Sequence, residues 1–261
     1  MAFRPLTQDL RQTLGRRVLI SGPPNSRKTT SLHTWPRPNH IMSYPGEKGH
    51  DSIDLTMEGI HAYIWEFDEV TKVSPAAVVT EIENTTWKIL GGKQYGPITT
   101  FSGDGLHKLY GWYYLRARNE LEGANIPDDT KDARAYGMAH DDFTLYLTKV
   151  NQSKVPYVVF TVWDGKEPDS PELKSKSPTH IFPDLPGKMA KRIMGEFSVV
   201  LYANVGLPKG PGQSAPAMWQ LQPAGSVWGA GVKIPARLAM GLPQTVPQDW
   251  ATLEKLLTDA R

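Results

Sequence analysis

A short segment of the chain combines a glycine, a lysine and a threonine at a spacing that binds phosphate in many proteins. Gly22, Lys28 and Thr29 fit the pattern Gly-x-x-x-x-Gly-Lys-Ser/Thr, and Arg27 stands where the pattern has its second glycine. Such a loop points backbone N–H groups inward, and the helix that follows adds positive potential. The residues predicted to contact a nucleotide are Gly22, Pro23, Pro24, Asn25, Ser26, Arg27, Lys28, Thr29 and Thr30.

The polar side chains of this loop have predicted tasks. Lys28 is expected to reach the β- and γ-phosphates during catalysis, and the Thr29 hydroxyl is expected to bind Mg²⁺, a hard cation that prefers oxygen ligands. Arg27 bears mainly on the rate of hydrolysis, because main chain normally approaches phosphate closely at this position. The alternative is a Gly/Pro turn before an amphipathic helix. The strand-favouring residues 17–20 before the loop and the apolar helix after it favour phosphate binding.

Asp104 ends a predicted strand over residues 98–104. In an open parallel sheet, ligands bind at the carboxyl ends of the strands. The Asp104 carboxylate is therefore predicted to orient Mg²⁺ and its waters. The alternative is a turn aspartate that caps the helix after it.

A second carboxylate, Glu47, follows the predicted strand 40–43. A carboxylate there is expected to polarise the water that attacks during hydrolysis. A solvated turn glutamate beside Lys48 is the alternative, and Glu66 and Asp68 compete for the same role.

The apolar strand predicted over residues 155–163 carries polar groups at its end. Thr161, Trp163 and Asp164 are placed there to sense the γ-phosphate. Trp163 has only its indole N–H to offer a phosphate, which favours a packing role for this residue.

Basic residues that are expected to contact single-stranded DNA or a neighbouring subunit occur in two places. Lysines and arginines in the long polar stretch 164–186 and the helix after it suit the backbone of single-stranded DNA, although acidic neighbours make an ordinary exposed loop an equal alternative. Lys233 and Arg237 are predicted to act in catalysis as cations that reach a neighbouring subunit's nucleotide, while isolated basic residues are more often surface charges. The basic residues of the stretch and its helix are Lys174, Lys176, Lys188, Lys191 and Arg192.

The elements that must position these residues alternate between strand and helix. This order predicts an α/β fold with a mostly parallel sheet and helices on both faces. A helix is expected to start at Ser74-Pro75, and another covers about 133–150. Towards the end, residues 218–222 and 227–234 predict a β-hairpin, and a short helix closes the chain. We expect one domain over 1–261, with a core at about 15–240 and an extension at about 241–261.

Composition narrows the class of protein. The chain has 261 residues, of which 39% are hydrophobic, and no apolar run approaches the roughly 20 residues that span a bilayer. It contains no cysteine, which excludes disulfides and thiolate chemistry and suits the cytoplasm. The net charge of +2 is nearly balanced, so a nucleic-acid surface would have to be local. No membrane partner is expected.

Taken together, these motifs resemble one family, the compact RecA-like P-loop ATPases encoded by bacteriophages, which include single-strand annealing recombinases. The segment from Gly22 to Thr30 is similar to the RecA phosphate loop apart from Arg27 and small differences at Pro24 and Asn25. Glu47 resembles the family's catalytic glutamate, and Asp104-Gly105-Leu106 resembles its Walker-B ending. The segment FPDLPGKMAKRIMGEFSVVLYANV is similar to the phage members, and Lys233 falls roughly where RecA-like filaments carry interface lysines. The resemblance covers about residues 15–240.

The resemblance implies an ATPase that uses ATP and Mg²⁺, binds single-stranded DNA and assembles into rings or filaments in the host cytoplasm, for recombination, annealing or repair. Two other functions stay open. Arg27 favours a nucleotide-gated assembly protein with little or no hydrolysis. A small-molecule P-loop kinase is the third possibility, and the absence of an evident arginine-rich lid in the sequence argues against it.

Overall fold

A computed structural model of the chain describes residues 16–65, 72–92, 94–123, 125–166, 181–186, 188–206, 214–222, 233–234 and 241–259. Within these residues, nine strands alternate with helices for most of the chain's length. The strands are β1 (Arg16–Gly22), β2 (Asn39–Ser43), β3 (Ile60–Tyr63), β4 (Thr100–Asp104), β5 (Tyr157–Lys166), β6 (Ile181–Pro183), β7 (Val199–Val205), β8 (Ala217–Gln220) and β9 (Thr245–Pro247).

The strands form one sheet in the order β3-β2-β4-β5-β1-β7-β8-β9, and β6 pairs with β5 outside this path. The six neighbouring strands β3, β2, β4, β5, β1 and β7 all pair in parallel. β6 pairs antiparallel with β5, and β8 pairs antiparallel with both β7 and β9. The predicted α/β fold with a mostly parallel sheet is confirmed. Parallel pairing brings the carboxyl ends of β1, β2, β4, β5 and β7 to one edge, where the polar residues singled out in the sequence lie.

The helices cover both faces of the sheet, and one of them begins at Ser74-Pro75 as the sequence predicts, whereas the helix predicted from about residue 133 begins at Asp128. Ser74 caps α2 by accepting a hydrogen bond from the backbone N–H of Ala77 at 3.3 Å, and Pro75 occupies the first turn. The helices are α1 (Lys28–Ser31), α2 (Pro75–Leu90), α3 (Leu106–Glu120), α4 (Asp128–Asn151), α5 (Met189–Arg192) and α6 (Trp250–Asp259). Short 3₁₀ helices span Leu32–Thr34, Gly49–Ser52 and Ile193–Glu196.

Two hydrophobic cores lie on opposite faces of the sheet, because successive strand side chains point to opposite sides. In β1, Leu19 belongs to the core formed with α2, α3 and α4, whereas Val18 and Ile20 belong to the core formed with α6. The central strand is therefore buried on both faces. This burial fixes the end of β1, from which the phosphate loop starts.

The C-terminal segment is integrated into the second core. The ring of Trp250 in α6 stacks on Trp35 with centroids 4.1 Å apart, and both side chains are buried. Leu253 and Leu257 are also fully buried. The predicted short C-terminal helix is thus present, and it closes the face of the sheet that carries α1.

The first strand of the predicted hairpin is β8, and it pairs with β7 on one side and β9 on the other. Most of the second predicted strand lies outside the described residues. Its residue Lys233 forms an isolated antiparallel bridge with Val200 of β7. None of the described helices is long and apolar enough to cross a membrane.

Candidate nucleotide-binding site

The loop between β1 and α1 adopts a compact conformation that leaves no room for a side chain at its first residue. A Cβ atom on Gly22 would lie 2.4 Å from the carbonyl oxygen of Ala203 in β7. Asn25 and Arg27 both have positive φ angles, of 64° and 61°. The loop therefore turns sharply twice before α1 begins at Lys28.

Arg27 keeps the backbone conformation that a glycine adopts readily. Its φ of 61° and ψ of 26° are left-handed, and its side chain is exposed. A non-glycine residue in this conformation carries a steric penalty between its Cβ and the following carbonyl oxygen. The loop thus keeps a glycine-like turn at the position where the sequence departs from the phosphate-binding pattern.

The ammonium of Lys28 lies inside the loop rather than in solvent. Its Nζ donates hydrogen bonds to the carbonyl oxygens of Gly22 at 2.8 Å and Pro23 at 2.7 Å, and to Ser26 Oγ at 3.2 Å. Burial lowers the pKa of Lys28 to about 8, against the opposing effect of nearby carboxylates, of which Asp164 is the strongest. A buried cation at the centre of a tight loop is suited to an anionic ligand.

Thr29 and Asp104 meet although they are far apart in sequence. The Thr29 hydroxyl donates to both carboxylate oxygens of Asp104, at 3.1 and 2.9 Å. Thr161 on β5, the strand between β1 and β4, also donates its hydroxyl to Asp104, and it accepts from the N–H of Gly105 at 3.0 Å. The two residues predicted to hold Mg²⁺ are therefore adjacent in space, and Thr161 helps to orient the carboxylate of Asp104.

Burial raises the pKa of Asp104 to about 6, and the charge of Glu47 adds to this effect. The hydrogen bonds from Thr161 and Thr29 and the charge of Lys28 act in the opposite direction. A buried carboxylate beside a hydroxyl provides the hard oxygen ligands that Mg²⁺ prefers, since this ion is usually bound through one or two carboxylates together with waters and substrate phosphates. These residues fit Mg²⁺.

The segment after β2 folds across this pair. A Cβ atom on Gly49 would lie 2.6 Å from Thr29 Oγ1 and 2.9 Å from Asp104 Oδ2. The main chain of the 3₁₀ helix Gly49–Ser52 thus packs directly on the predicted metal ligands. The sequence marked this segment only as a turn carrying one carboxylate. The several turn residues of this segment were the only sign in the sequence that its main chain folds back at the end of the strand.

That carboxylate, Glu47, lies at the same edge. Its side chain is 8% exposed, and its Oε1 accepts the backbone N–H of Lys48 at 3.1 Å. Its Oε2 is buried and lies 3.8 Å from Nε2 of His107, beyond hydrogen-bonding distance. His107 is a residue of this site that the sequence reasoning missed.

The two remaining polar residues at the end of β5, Trp163 and Asp164, make different kinds of contact. The Trp163 ring stacks on His107 with centroids 4.6 Å apart, which agrees with the packing role expected for it. Asp164 accepts a hydrogen bond from the Tyr202 hydroxyl at 2.9 Å. Asp164 is also the carboxylate that acts most strongly on Lys28.

Gln248, just before α6, ties the C-terminal segment to the loop. Its Nε2 donates to the carbonyl oxygen of Ser26 at 2.8 Å and to that of Met218 at 3.1 Å. No motif marked Gln248 in the sequence, because the contact joins residues at opposite ends of the chain.

Lys233 lies apart from the loop of its own chain. It pairs with Val200 near the start of β7, whereas the phosphate loop lies at the carboxyl ends of the strands. Its Nζ donates to the carbonyl oxygen of Phe197 at 2.7 Å and to that of Met194 at 3.4 Å. Other predicted candidates, namely Glu66, Asp68, Lys174, Lys176 and Arg237, lie outside the described residues.

A mostly parallel sheet with a lysine-bearing loop between its central strand and a helix, beside a carboxylate on a neighbouring strand, defines a P-loop NTPase. A family model described as an AAA domain matches residues 14–220, and the chain belongs to this family.

Among solved structures, the chain is similar to one described as "Structural and biochemical analysis of a prototypical ATPase from the type III secretion system of pathogenic bacteria". The TM-score is 0.42 at 10% sequence identity, and the match covers 72% of this chain and 52% of that one. The chain thus spans about half the length of this structure. No curated protein sequence matches the chain.

Proposed function

We propose that this protein binds Mg-ATP, hydrolyses it, and acts on single-stranded DNA as an assembly of subunits, in phage recombination, annealing or repair. The observation that carries the nucleotide part is the direct hydrogen bonding of Thr29 to Asp104 beside the buried ammonium of Lys28. A cation, a hydroxyl and a carboxylate placed side by side are the groups that phosphoryl transfer requires.

The phosphate loop would hold the nucleotide through its main chain and one side chain. The backbone N–H groups of Asn25 and of residues 27–29 would serve as donors, since that of Ser26 already donates to the carbonyl oxygen of Pro23 at 3.3 Å. Lys28 offers an ammonium that stays mostly protonated near neutral pH, because its pKa is about 8. Thr29 and Asp104 would hold Mg²⁺. When bound, this ion neutralises charge on the phosphate oxygens.

Glu47 is the proposed general base that accepts the proton of the attacking water. Its carboxylate is largely buried, and one of its oxygens receives no hydrogen bond from the described part of the chain. An unsatisfied carboxylate oxygen near the loop is suited to accept a hydrogen bond from water and then its proton.

The proposal of a single-stranded DNA partner and of self-association rests on the resemblance to phage RecA-like ATPases. The basic residues Lys188, Lys191 and Arg192 lie on and beside α5, after the polar stretch. Lys233 would reach a neighbouring subunit's nucleotide only by giving up its bond to the carbonyl of Phe197.

A nucleotide-gated assembly protein that hardly turns ATP over is the second candidate. The exposed Arg27 in a left-handed conformation favours it, because a side chain now lies at a position where the pattern has none.

Steady-state phosphate release separates these two functions. We expect Mg²⁺-dependent release that rises when single-stranded DNA is added, and we expect Glu47→Gln to keep ATP binding while turnover is lost. Turnover retained in Glu47→Gln would assign the base to another residue. Binding of ATP by the wild type without release of phosphate, with or without DNA, would favour the gated assembly protein.

A further inference from the structure

His107 is a buried polar side chain that the proposed reaction does not yet use. It lies in the first turn of α3, and its side chain is only 8% exposed. Among the residues that the structure describes, neither Nδ1 nor Nε2 finds a hydrogen-bond partner. A buried imidazole with two unsatisfied nitrogens is costly unless another group meets it when the protein works.

The carboxylate of Glu47 lies beside this imidazole. The two side chains are equally buried, and Nε2 lies 3.8 Å from the unsatisfied Oε2. Gly105 limits the carboxylate from another side, because a Cβ atom there would lie 2.7 Å from the same oxygen. A small movement of either side chain would bring the two atoms to hydrogen-bonding distance.

The imidazole ring is held in place by its neighbours. It stacks on Trp163 at an interplanar angle of 30°, and Nζ of Lys108 lies 5.0 Å from the centroid of the same indole ring. Trp163 is paired with Gly22, the first residue of the phosphate loop, in the register of β5 and β1. The stack therefore links His107 to the loop that is proposed to hold the nucleotide.

We propose that His107 is a positioning residue for ATP hydrolysis, which donates its Nε2–H to Oε2 of Glu47 and so holds this carboxylate in the orientation that accepts the proton of the attacking water. This inference rests on the proposed hydrolysis of ATP. It adds a residue to that site which neither the phosphate-loop pattern nor the carboxylates of the sequence indicate.

The protonation state of the imidazole suits this task. Burial, together with the charges of Lys108 and Lys28, lowers the pKa of His107 to about 3. The neutral ring has one N–H to donate, and the hydrogen bond to Glu47 fixes that proton on Nε2.

The reaction balances without any change at His107. The water oxygen forms a bond to the γ-phosphorus, the bond from that phosphorus to the bridging oxygen breaks, and ADP leaves with the electron pair. Glu47 accepts the proton of the water. His107 keeps its proton throughout and acts only through the carboxylate.

Two substitutions separate positioning from packing. His107→Phe keeps a ring that can stack on Trp163 and removes both nitrogens, whereas His107→Gln keeps an N–H donor. We expect kcat for ATP hydrolysis to fall about 10- to 100-fold in His107→Phe, because a misplaced catalytic group commonly loses that much, with KM for ATP unchanged. His107→Gln should recover part of the loss, and His140→Phe on α4 serves as the matched control.

A double-mutant cycle with Glu47→Gln tests whether His107 acts through Glu47. The His107→Phe change should have almost no further effect on the residual rate of phosphate release that Glu47→Gln retains in single-turnover measurements. ¹⁵N NMR of the imidazole provides a measurement independent of turnover. The ring should be the Nε2–H tautomer in the wild type, and its shifts should change in Glu47→Gln.

Three results would overturn the inference while leaving the proposed hydrolysis intact. If His107→Phe turns ATP over at the wild-type rate, or if its loss multiplies with that of Glu47→Gln, the residue only packs. Imidazole shifts that are unchanged in Glu47→Gln would show that the two groups do not interact. A wild-type protein that binds ATP without turnover would instead overturn the proposed hydrolysis, and the role of His107 with it.

Discussion

At the residue scale, Arg27 shows how a departure from a sequence pattern can leave the backbone unchanged. The pattern places a glycine here, and the arginine adopts the same left-handed conformation with its side chain exposed. The sequence predicted a changed environment for phosphate, but it carried no information on the backbone angles of the loop. The residue therefore bears a conformational strain that can be measured directly.

We expect Arg27→Gly to raise the free energy of unfolding by about 1 kcal/mol, because glycine adopts positive φ without the clash of a Cβ atom. Arg27→Ala is the matched control, since it removes the same side chain but keeps the Cβ. Urea denaturation of the three proteins provides the measurement. An equal gain in both variants would mean that the arginine side chain, and not the backbone, is responsible.

The lowered pKa of His107 predicts how the stability of the protein depends on pH. Its folded-state pKa of about 3 lies below the ordinary value of 6.5, so the unfolded chain binds a proton at pH values where the folded protein does not. The contribution of neutral His107 is complete above pH 6.5 and is lost as the pH falls towards 3. Burial and the charges of Lys108 and Lys28 lower this pKa, and the carboxylate of Glu47 faces the ring at 3.8 Å.

Between pH 7.5 and pH 5, the wild type should therefore lose about 1–2 kcal/mol more stability than His107→Phe does. Denaturant unfolding at the two pH values measures this difference. Equal losses in the two proteins would place the folded-state pKa of His107 close to its ordinary value.

At the scale of elements, the segment after β2 does more than carry Glu47. The sequence identified the strand, the turn and the carboxylate, because each has a local signal. It did not indicate that Gly49 packs against Thr29 and Asp104, since this approach joins three separate elements. Sequence patterns predict which strand ends carry polar groups, but the contacts between those ends depend on the packing of loops.

Gly49→Ala should weaken Mg²⁺-dependent ATP binding roughly ten- to hundredfold, because the added methyl group would disturb hydrogen bonds to a charged group, which contribute about 1.5–3 kcal/mol. Isothermal titration with Mg²⁺ and with EDTA gives the affinities. Gly137→Ala on α4 is the control, since a Cβ atom there meets no atom of the described residues within 4 Å. Wild-type affinity in Gly49→Ala would show that this contact does not shape the site.

At the scale of the whole molecule, alternation of strand and helix was enough to predict the class of fold, because hydrophobic periodicity is a local property. The position of the C-terminal segment was not predictable in the same way. The sequence indicated a helix with Trp250 and buried leucines, but not that Trp250 stacks on Trp35 or that Gln248 bonds to the phosphate loop. These contacts connect residues more than two hundred positions apart.

Trp250→Ala should lower the free energy of unfolding by about 3–5 kcal/mol, since removal of a buried indole leaves a cavity between α6 and the sheet. The exposed Lys255 in the same helix supplies the control, and Lys255→Ala should change stability by less than about 0.5 kcal/mol. Equilibrium unfolding in urea measures both. A loss of under 1 kcal/mol in Trp250→Ala would show that the C-terminal helix is dispensable for the fold.

Stabilisation of the protein by Mg-ATP tests whether the loop around Lys28 binds the phosphates of ATP. At a ligand concentration of about 100 Kd, the wild type should gain roughly 2.7 kcal/mol in the free energy of unfolding, and Lys88→Ala on the exposed side of α2 should gain the same. Lys28→Ala should fold but gain nothing. Full stabilisation of folded Lys28→Ala by Mg-ATP would contradict the account.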